Sequence, residues 1–264
     1  MKNTFLKILK YTMVFMLIIN LFKIFIQNPL FHNDYSNGYL IVMTILKGSL
    51  FLFTLFLLKY EKIKVSNFNK TKYLLLIVII IVFLRLYYNV TNKSAELKID
   101  VDYIKLIFYS LLNFSIGLFE EFYFRLFVFS LLCSLYKKNL FKISILTSSL
   151  FAIVHLSNLL LNSYSFSDVL FQVMFAFAIG VFFQILFINF KNIYIPVLIH
   201  FFIDFNANFS VKFFNISPKE TNETGIDYTT FGIVSAFIIL LFVFAYFNLK
   251  KKDVNYFLIE NNTL

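Results

Sequence analysis

The stretch Ile104–Tyr136, IKLIFYSLLNFSIGLFEEFYFRLFVFSLLCSLY, decides the fold and raises the functional question together. It is apolar almost from end to end, yet it holds Glu120, Glu121 and Arg125 near its middle. Thirty-odd helical residues at about 1.5 Å each are about half as long again as a bilayer is thick, so this segment is expected to tilt, protrude or break. Gly117, just before the carboxylates, is the expected weak point.

The rest of the chain has the same character. Of 264 residues, 60% are hydrophobic and only 14% charged, with a mean hydropathy of +0.79. A soluble domain of this size needs more polar surface than that to cover its core, so the composition selects a membrane solvent. Eight apolar segments can be read, at about 8–27, 38–58, 72–90, 104–136, 142–161, 167–188, 193–212 and 229–249. Each approaches or exceeds the roughly 20 residues a crossing helix needs. Lipid offers the backbone no hydrogen-bond partner, and the alternation of barrel strands is missing, so the expected fold is an all-α, polytopic transmembrane bundle. The first segment has basic flanks like a signal peptide but no small-residue cleavage site, and it is read as a span.

Charge distribution tests that division. Lys2, Lys7 and Lys10, then the lysines at 59, 62, 64, 70 and 72, then 137, 138 and 142, then 191, then 250 to 252 fall on one side. Lys93, Lys98, Lys105, Lys212 and Lys219 fall on the other, diluted by acidic residues. Fifteen basic residues against five, alternating across all eight segments, put both termini in the cytoplasm by the positive-inside rule. The net charge of +10 therefore reflects topology. No basic face interleaved with aromatics suggests a nucleic-acid partner; the partner is the lipid bilayer. The single cysteine, Cys133, lies in an apolar run and reads as a buried structural thiol.

Ionisable groups deep in spans cost several kcal/mol each and are functional candidates by default. Here they concentrate in three segments: Glu120, Glu121 and Arg125; Phe151 followed by His155; and His200 followed by Asp204. Glu121 and Arg125, at i,i+4, share a helical face and can neutralise each other. Glu120 is rotated about 100° from Glu121 and can point into the bundle. His200 and Asp204 share one face of their own helix. An ion pair plus two hydrogen-bonded packing histidines would account for each feature singly. That reading explains poorly why they coincide on three helices at comparable depths. Lys23 and Lys47 are expected to snorkel, Arg85 sits near a span end, and His32 lies in a polar loop with no assigned role.

The three motifs, in this order on separate helices, resemble the CAAX-processing and bacteriocin-processing intramembrane protease family. Its pattern is E-E-x-x-x-R, then F-x-x-x-H, then H-x-x-x-N or H-x-x-x-D. The resemblance covers about residues 104–212, dividing the chain into N-terminal helices (1–103), a catalytic-like core (104–212), and an outer loop, last helix and tail (213–264). It implies that Glu120 and His155 activate a water molecule, that His200 and Asp204 line the site and stabilise the oxyanion, and that Glu121 and Arg125 hold the architecture. Two positions depart from the pattern. Asp204 stands where Asn is common, and an ionised Asp is a poor oxyanion donor, so orienting His200 or staying protonated suits it better. Gly180 is followed by Gln184 where a second small residue is frequent, which makes close helix packing there less expected.

Hydrolytic chemistry agrees with these residue types: a base, a water, and donors aimed at developing oxygen charge. No Ser lies in a G-x-S-x-G setting, and Cys133 has no identified partner, which disfavours a covalent nucleophile. Glu120, His155 and His200 could also bind zinc with an open position for water, although no H-E-x-x-H is present. Metal-independent catalysis with no cofactor is favoured, partly on family grounds. The expected function is an intramembrane endopeptidase acting on a membrane-associated peptide or protein. In a bacterial cell membrane, the resemblance suggests peptide maturation or bacteriocin self-immunity. The alternatives are a proton-coupled transporter and a non-catalytic immunity or scaffold protein. No inverted repeat supports the transporter.

Overall fold

The computed structural model describes residues 2–25, 27, 36–63, 103–136, 139–160, 165–213 and 228–250. All regular structure among them is helical. Helix α1 is Lys2–Phe22 and α2 is Asn37–Tyr60. Helix α3, Tyr103–Glu121, passes without a break into a π-helical segment, Phe122–Val128, and then into α4, Phe129–Leu135. Helix α5 is Leu140–Val154, continued by a 3-10 turn His155–Leu160. Helices α6, Phe166–Phe190, α7, Tyr194–Phe213, and α8, Tyr228–Leu249, complete the set. The expected span at 72–90 lies outside the described residues, as do Arg85 and His32.

Local sequence accounts for several of these boundaries. Asn139 accepts a hydrogen bond from the Lys142 amide and opens α5. Ser165 and Asp168 form a reciprocal capping box at the start of α6, satisfying backbone donors that a membrane interior could not. Lys191 ends α6 in the left-handed conformation, with φ 51°, and α7 begins three residues later, so the two helices form a tight hairpin. Pro196 falls in the first turn of α7, where its missing N–H costs nothing.

Four described helices are long and apolar enough to cross a membrane: Leu6–Phe25, Asn37–Tyr60, Leu140–Leu160 and Phe166–Phe190. Large apolar side chains such as Met13, Leu52, Phe56, Ile107 and Leu240 face outward, while Glu121, Arg125, Gln184 and Thr147 are fully buried. Apolar outside and polar inside is the arrangement of an integral membrane protein, in which lipid replaces water as the solvent.

The long central helix is the axis of the bundle. Helix α2 lies along one side of α3, and α7 along another. Helix α1 docks on the α3–π junction through Phe15, whose ring sits 4.3 Å from Tyr123 and 5.3 Å from Phe119. A buried contact of 3.1 Å between the Thr12 and Tyr123 hydroxyls adds a polar tie. Helices α5 and α6 pack together, and Phe141 of α5 meets Phe242 and Tyr246 of α8 edge to face.

Gly117 does not break the helix. A methyl placed on its Cα would lie 3.0 Å from the Val197 carbonyl oxygen, 3.4 Å from the Phe201 amide nitrogen and 3.7 Å from the His200 Cβ. The glycine lets the α3 and α7 backbones approach, and the irregularity comes later, as the π segment. Gly180 likewise packs closely despite Gln184: a methyl there would lie 3.1 Å from the Ser148 Cβ and 3.3 Å from the Phe151 ring. Gly117→Val should therefore force α3 and α7 apart and cost about 1–3 kcal/mol, read as a lower unfolding midpoint in detergent. Gly48→Ala, where a methyl meets nothing within 4 Å, should leave the midpoint unchanged or raise it.

Candidate active site

The close approach at Gly117 places His200 of α7 against the end of α3. The Nδ1 of His200 donates to Glu121 Oε1 at 2.8 Å, and the other Glu121 oxygen lies 3.1 Å from Arg125 Nε. Both side chains of that ion pair are fully buried. Glu121 thus serves two partners, Arg125 within its own helix and His200 across the interface.

Because Nδ1 faces Glu121, Nε2 faces the opposite way. It lies 3.8 Å from Glu120 Oε2 and 3.3 Å from Asp204 Oδ2. Asp204 lies within reach of the ring that it was expected to orient, on the nitrogen that faces Glu120, while the shorter contact belongs to Glu121. Exposure rises along this chain, from 0% for the Glu121 and Arg125 side chains through 9% for His200 and 14% for Glu120 to 31% for Asp204.

His155 is at the junction between α5 and its 3-10 turn, partly buried. Its ring meets Phe151 edge to face at 5.1 Å, and Glu120, His200, Asp204 and Lys47 are its electrostatic neighbours. Phe151 is the hub that joins these elements. It lies 6.2 Å from the His200 ring and 5.2 Å from Phe124, and the Arg125 guanidinium stacks 4.4 Å from its centroid. The aromatic four residues before His155 therefore positions both histidines and covers the buried cation.

Two lysines expected to snorkel are turned inward. Lys47 Nζ lies 3.1 Å from Glu120 Oε1 and 5.3 Å from the centre of the Phe119 ring. Lys23 Nζ donates to Ser157 Oγ at 2.8 Å and to Asn158 Oδ1 at 2.6 Å, and the Asn158 amide donates to Gln172 Oε1 at 2.6 Å. The signal for Lys47 was its position. It lies ten residues into a 24-residue helix, too central for a lysine stem to reach either interface.

The Arg125 Nη atoms, Ser148 Oγ and the Gln184 amide are buried with no hydrogen-bond partner among the described residues. Gln184, noted as a departure in the sequence, thus adds a polar group to the interior beside Gly180. Cys133 is buried and unpaired, as its apolar surroundings suggest. Among the described residues, no three His, Cys, Asp or Glu side chains group closely enough to hold a metal ion.

Residues 103–206 match the family model described as Rce1-like, type II CAAX prenyl endopeptidase. The match spans 104 of the 264 residues. The Rce1-like segment holds all six charged and imidazole groups of the three motifs, from Glu120 to Asp204, and the model that it matches describes an endopeptidase. No curated protein and no solved structure matches the chain significantly. Lys23, just past the end of α1, and Lys47, on α2, lie outside the Rce1-like segment.

Removing one member of the buried pair should strand the other in a low-dielectric interior. Arg125→Met is expected to cost about 3–5 kcal/mol, measured by denaturant unfolding in detergent. The double substitution Glu121→Leu/Arg125→Met should recover much of that loss, because it removes both charges together.

Proposed function

We propose that this protein is an intramembrane endopeptidase in which Glu120, assisted by His155 and His200, activates a water molecule against a peptide bond. The observation that carries the reading is the pairing of Glu120 Oε2 with His200 Nε2 across 3.8 Å, beside His155, within an Rce1-like segment. The two atoms are too far apart for a direct hydrogen bond, and a water bound to both would join them. Glu120 accepts a proton from this water, and the oxygen attacks the substrate carbonyl carbon. As imidazolium, His200 donates its Nε2–H to the developing oxyanion, and His155 supplies a second donor. The proton held by Glu120 passes to the leaving nitrogen, the C–N bond breaks, and a carboxylate and an amine are released.

Glu121 and Arg125 hold His200 at the required rotation and take no part in proton transfer. Asp204 flanks Nε2 at the most exposed end of the cluster, which suits orienting the ring and marks the side from which a substrate enters. A metal-independent mechanism is consistent with the geometry: the Lys47 ammonium already pairs with one Glu120 oxygen and would repel a metal ion there. The substrate class is a membrane-associated peptide or protein. Maturation of secreted peptides or self-immunity to a bacteriocin in a bacterial cell membrane are physiological roles consistent with it. The lysine distribution supports eight spans with both termini cytoplasmic. The family match favours hydrolysis over the proton-coupled carrier that buried carboxylates and imidazoles would otherwise suggest.

The test uses purified protein in proteoliposomes with a panel of quenched-fluorescence, membrane-associated peptides. Wild type should cleave at least one of them with or without chelator. Glu120→Gln and His155→Ala should each lower kcat by about 100-fold or more while the protein still inserts and accumulates. Full proteolysis by either variant would overturn this assignment. Loss of activity with chelator, restored by zinc, would replace the mechanism with a metal-dependent one.

A further inference from the structure

The Rce1-like segment does not close the site alone. Helix α2 delivers Lys47 to Glu120 at 3.1 Å, with the two side chains only 12% and 14% exposed. The residue after α1, Lys23, 8% exposed, reaches Ser157 and Asn158 in the 3-10 turn that begins at His155. An ammonium in the interior of a membrane protein is costly unless fully engaged, and a leucine at either position would pack without that cost. Both buried lysines nevertheless point at the same cluster, and each engages an element that bears a group of the proposed site.

Their consequences differ. Glu120 has two oxygens, and a carboxylate on a flexible stem can rotate either of them towards His200 or away. Lys47 takes Oε1, so Oε2 is the oxygen left facing His200 Nε2. The Phe119 ring beneath the ammonium limits where Nζ can lie, and the single hydrogen bond therefore fixes the rotation of the carboxylate. Lys23 acts one element away, through neutral acceptors, and holds the turn and not the base.

We propose that Lys47 is a positioning residue of the hydrolytic site: by binding Glu120 Oε1 it aims Oε2 at the water shared with His200. This inference rests on the endopeptidase reading and extends the working unit beyond the Rce1-like segment to α2. Misplacing a reacting group by about 1 Å can cost about 100-fold in rate, which sets the size of effect to look for.

The experiment compares wild type, Lys47→Ala, Lys47→Met and Lys47→Arg in proteoliposomes, using a quenched-fluorescence peptide that the wild type cleaves. Thermal unfolding is followed in parallel. Lys47→Met and Lys47→Ala should lose about 100-fold in kcat with KM within about twofold and an unfolding midpoint that leaves them folded at the assay temperature. Lys47→Arg, which keeps a cation within reach, should recover a substantial part of kcat. Ethylammonium, which fits the space a lysine leaves, should restore kcat to Lys47→Ala in a saturable way, whereas ethanol should not. A folded Lys47→Met with wild-type kcat overturns the proposal. So does a loss of activity that only tracks unfolding, or failure of all three variants to accumulate, since either result assigns Lys47 to folding alone. If wild type and Glu120→Gln do not differ on any peptide, the endopeptidase reading itself falls. Glu120-dependent cleavage that ignores Lys47 removes only this inference.

Discussion

The Glu121 carboxylate, shared between Arg125 and His200, is the contact on which the rest of the structure depends. With one oxygen 3.1 Å from a guanidinium and the other 2.8 Å from an imidazole, it neutralises a fully buried cation and ties α3 to α7 in one group. Neither task can be given up in a membrane interior. Without Arg125, the carboxylate is a stranded charge; without Glu121, the guanidinium is stranded and His200 is free to turn. The neighbouring features serve that contact. Gly117 admits the α7 backbone, Phe151 stacks on Arg125, and the π segment begins at the residue after Glu121. Departures from α-helical bonding often accompany functional sites, and here the departure includes the turn that carries Arg125.

A second consequence concerns the neighbouring carboxylate. Adjacent residues on a helix point about 100° apart, so Glu120 meets His200 on its other nitrogen and at a longer distance than Glu121 does. Its nearer cation is Lys47, which α2 supplies. The bundle therefore divides its two adjacent acids between two partners of different reach: a rigid guanidinium held within the helix, and a flexible ammonium brought from outside the Rce1-like segment. Helix α1 reinforces the arrangement from the far side, through Phe15 and Thr12 against Tyr123 and through Lys23 against the 3-10 turn.

Much of this was legible in the sequence because lipid makes the rules strict. Long apolar runs could only be helices, and charges within them could only be paired or functional, so the three motifs and their residues stood out by cost alone. What could not be read was pairing between helices. A glycine at position 117 lowers helix stability and equally permits close approach, and only the presence of Val197 and His200 opposite decides between the two. The same holds for Gly180, whose neighbour Ser148 is small enough to accept it whatever stands at Gln184. Asp204, one turn after His200, flanks that ring at 3.3 Å, whereas the Nδ1 contact with Glu121 depends on a helix 79 residues away in the chain. Lys47 differs for another reason: snorkelling serves lysines near span ends, and a lysine ten residues into a 24-residue helix is far from both ends.

Hydrolysis within a bilayer would need water where lipid excludes it, and on the proposed reading the gradient of exposure separates the two demands in space. The groups that hold the architecture, Glu121 and Arg125, are sealed at 0% exposure, where no water can compete for their bonds. Those proposed to act on water lie towards the open end, with Asp204 at 31% as the outermost. The order could not be reversed. An exposed Glu121–Arg125 pair would exchange its partners for solvent and let His200 rotate, because exposed ion pairs are worth only about 0–1 kcal/mol. A fully sealed Glu120 would hold its proton relay without reaching a substrate. His200 stands at the boundary, with Nδ1 turned to the sealed carboxylate and Nε2 to the accessible ones. On the proposed reading, this one ring carries the rigidity of the dry interior to the place where water must be aimed.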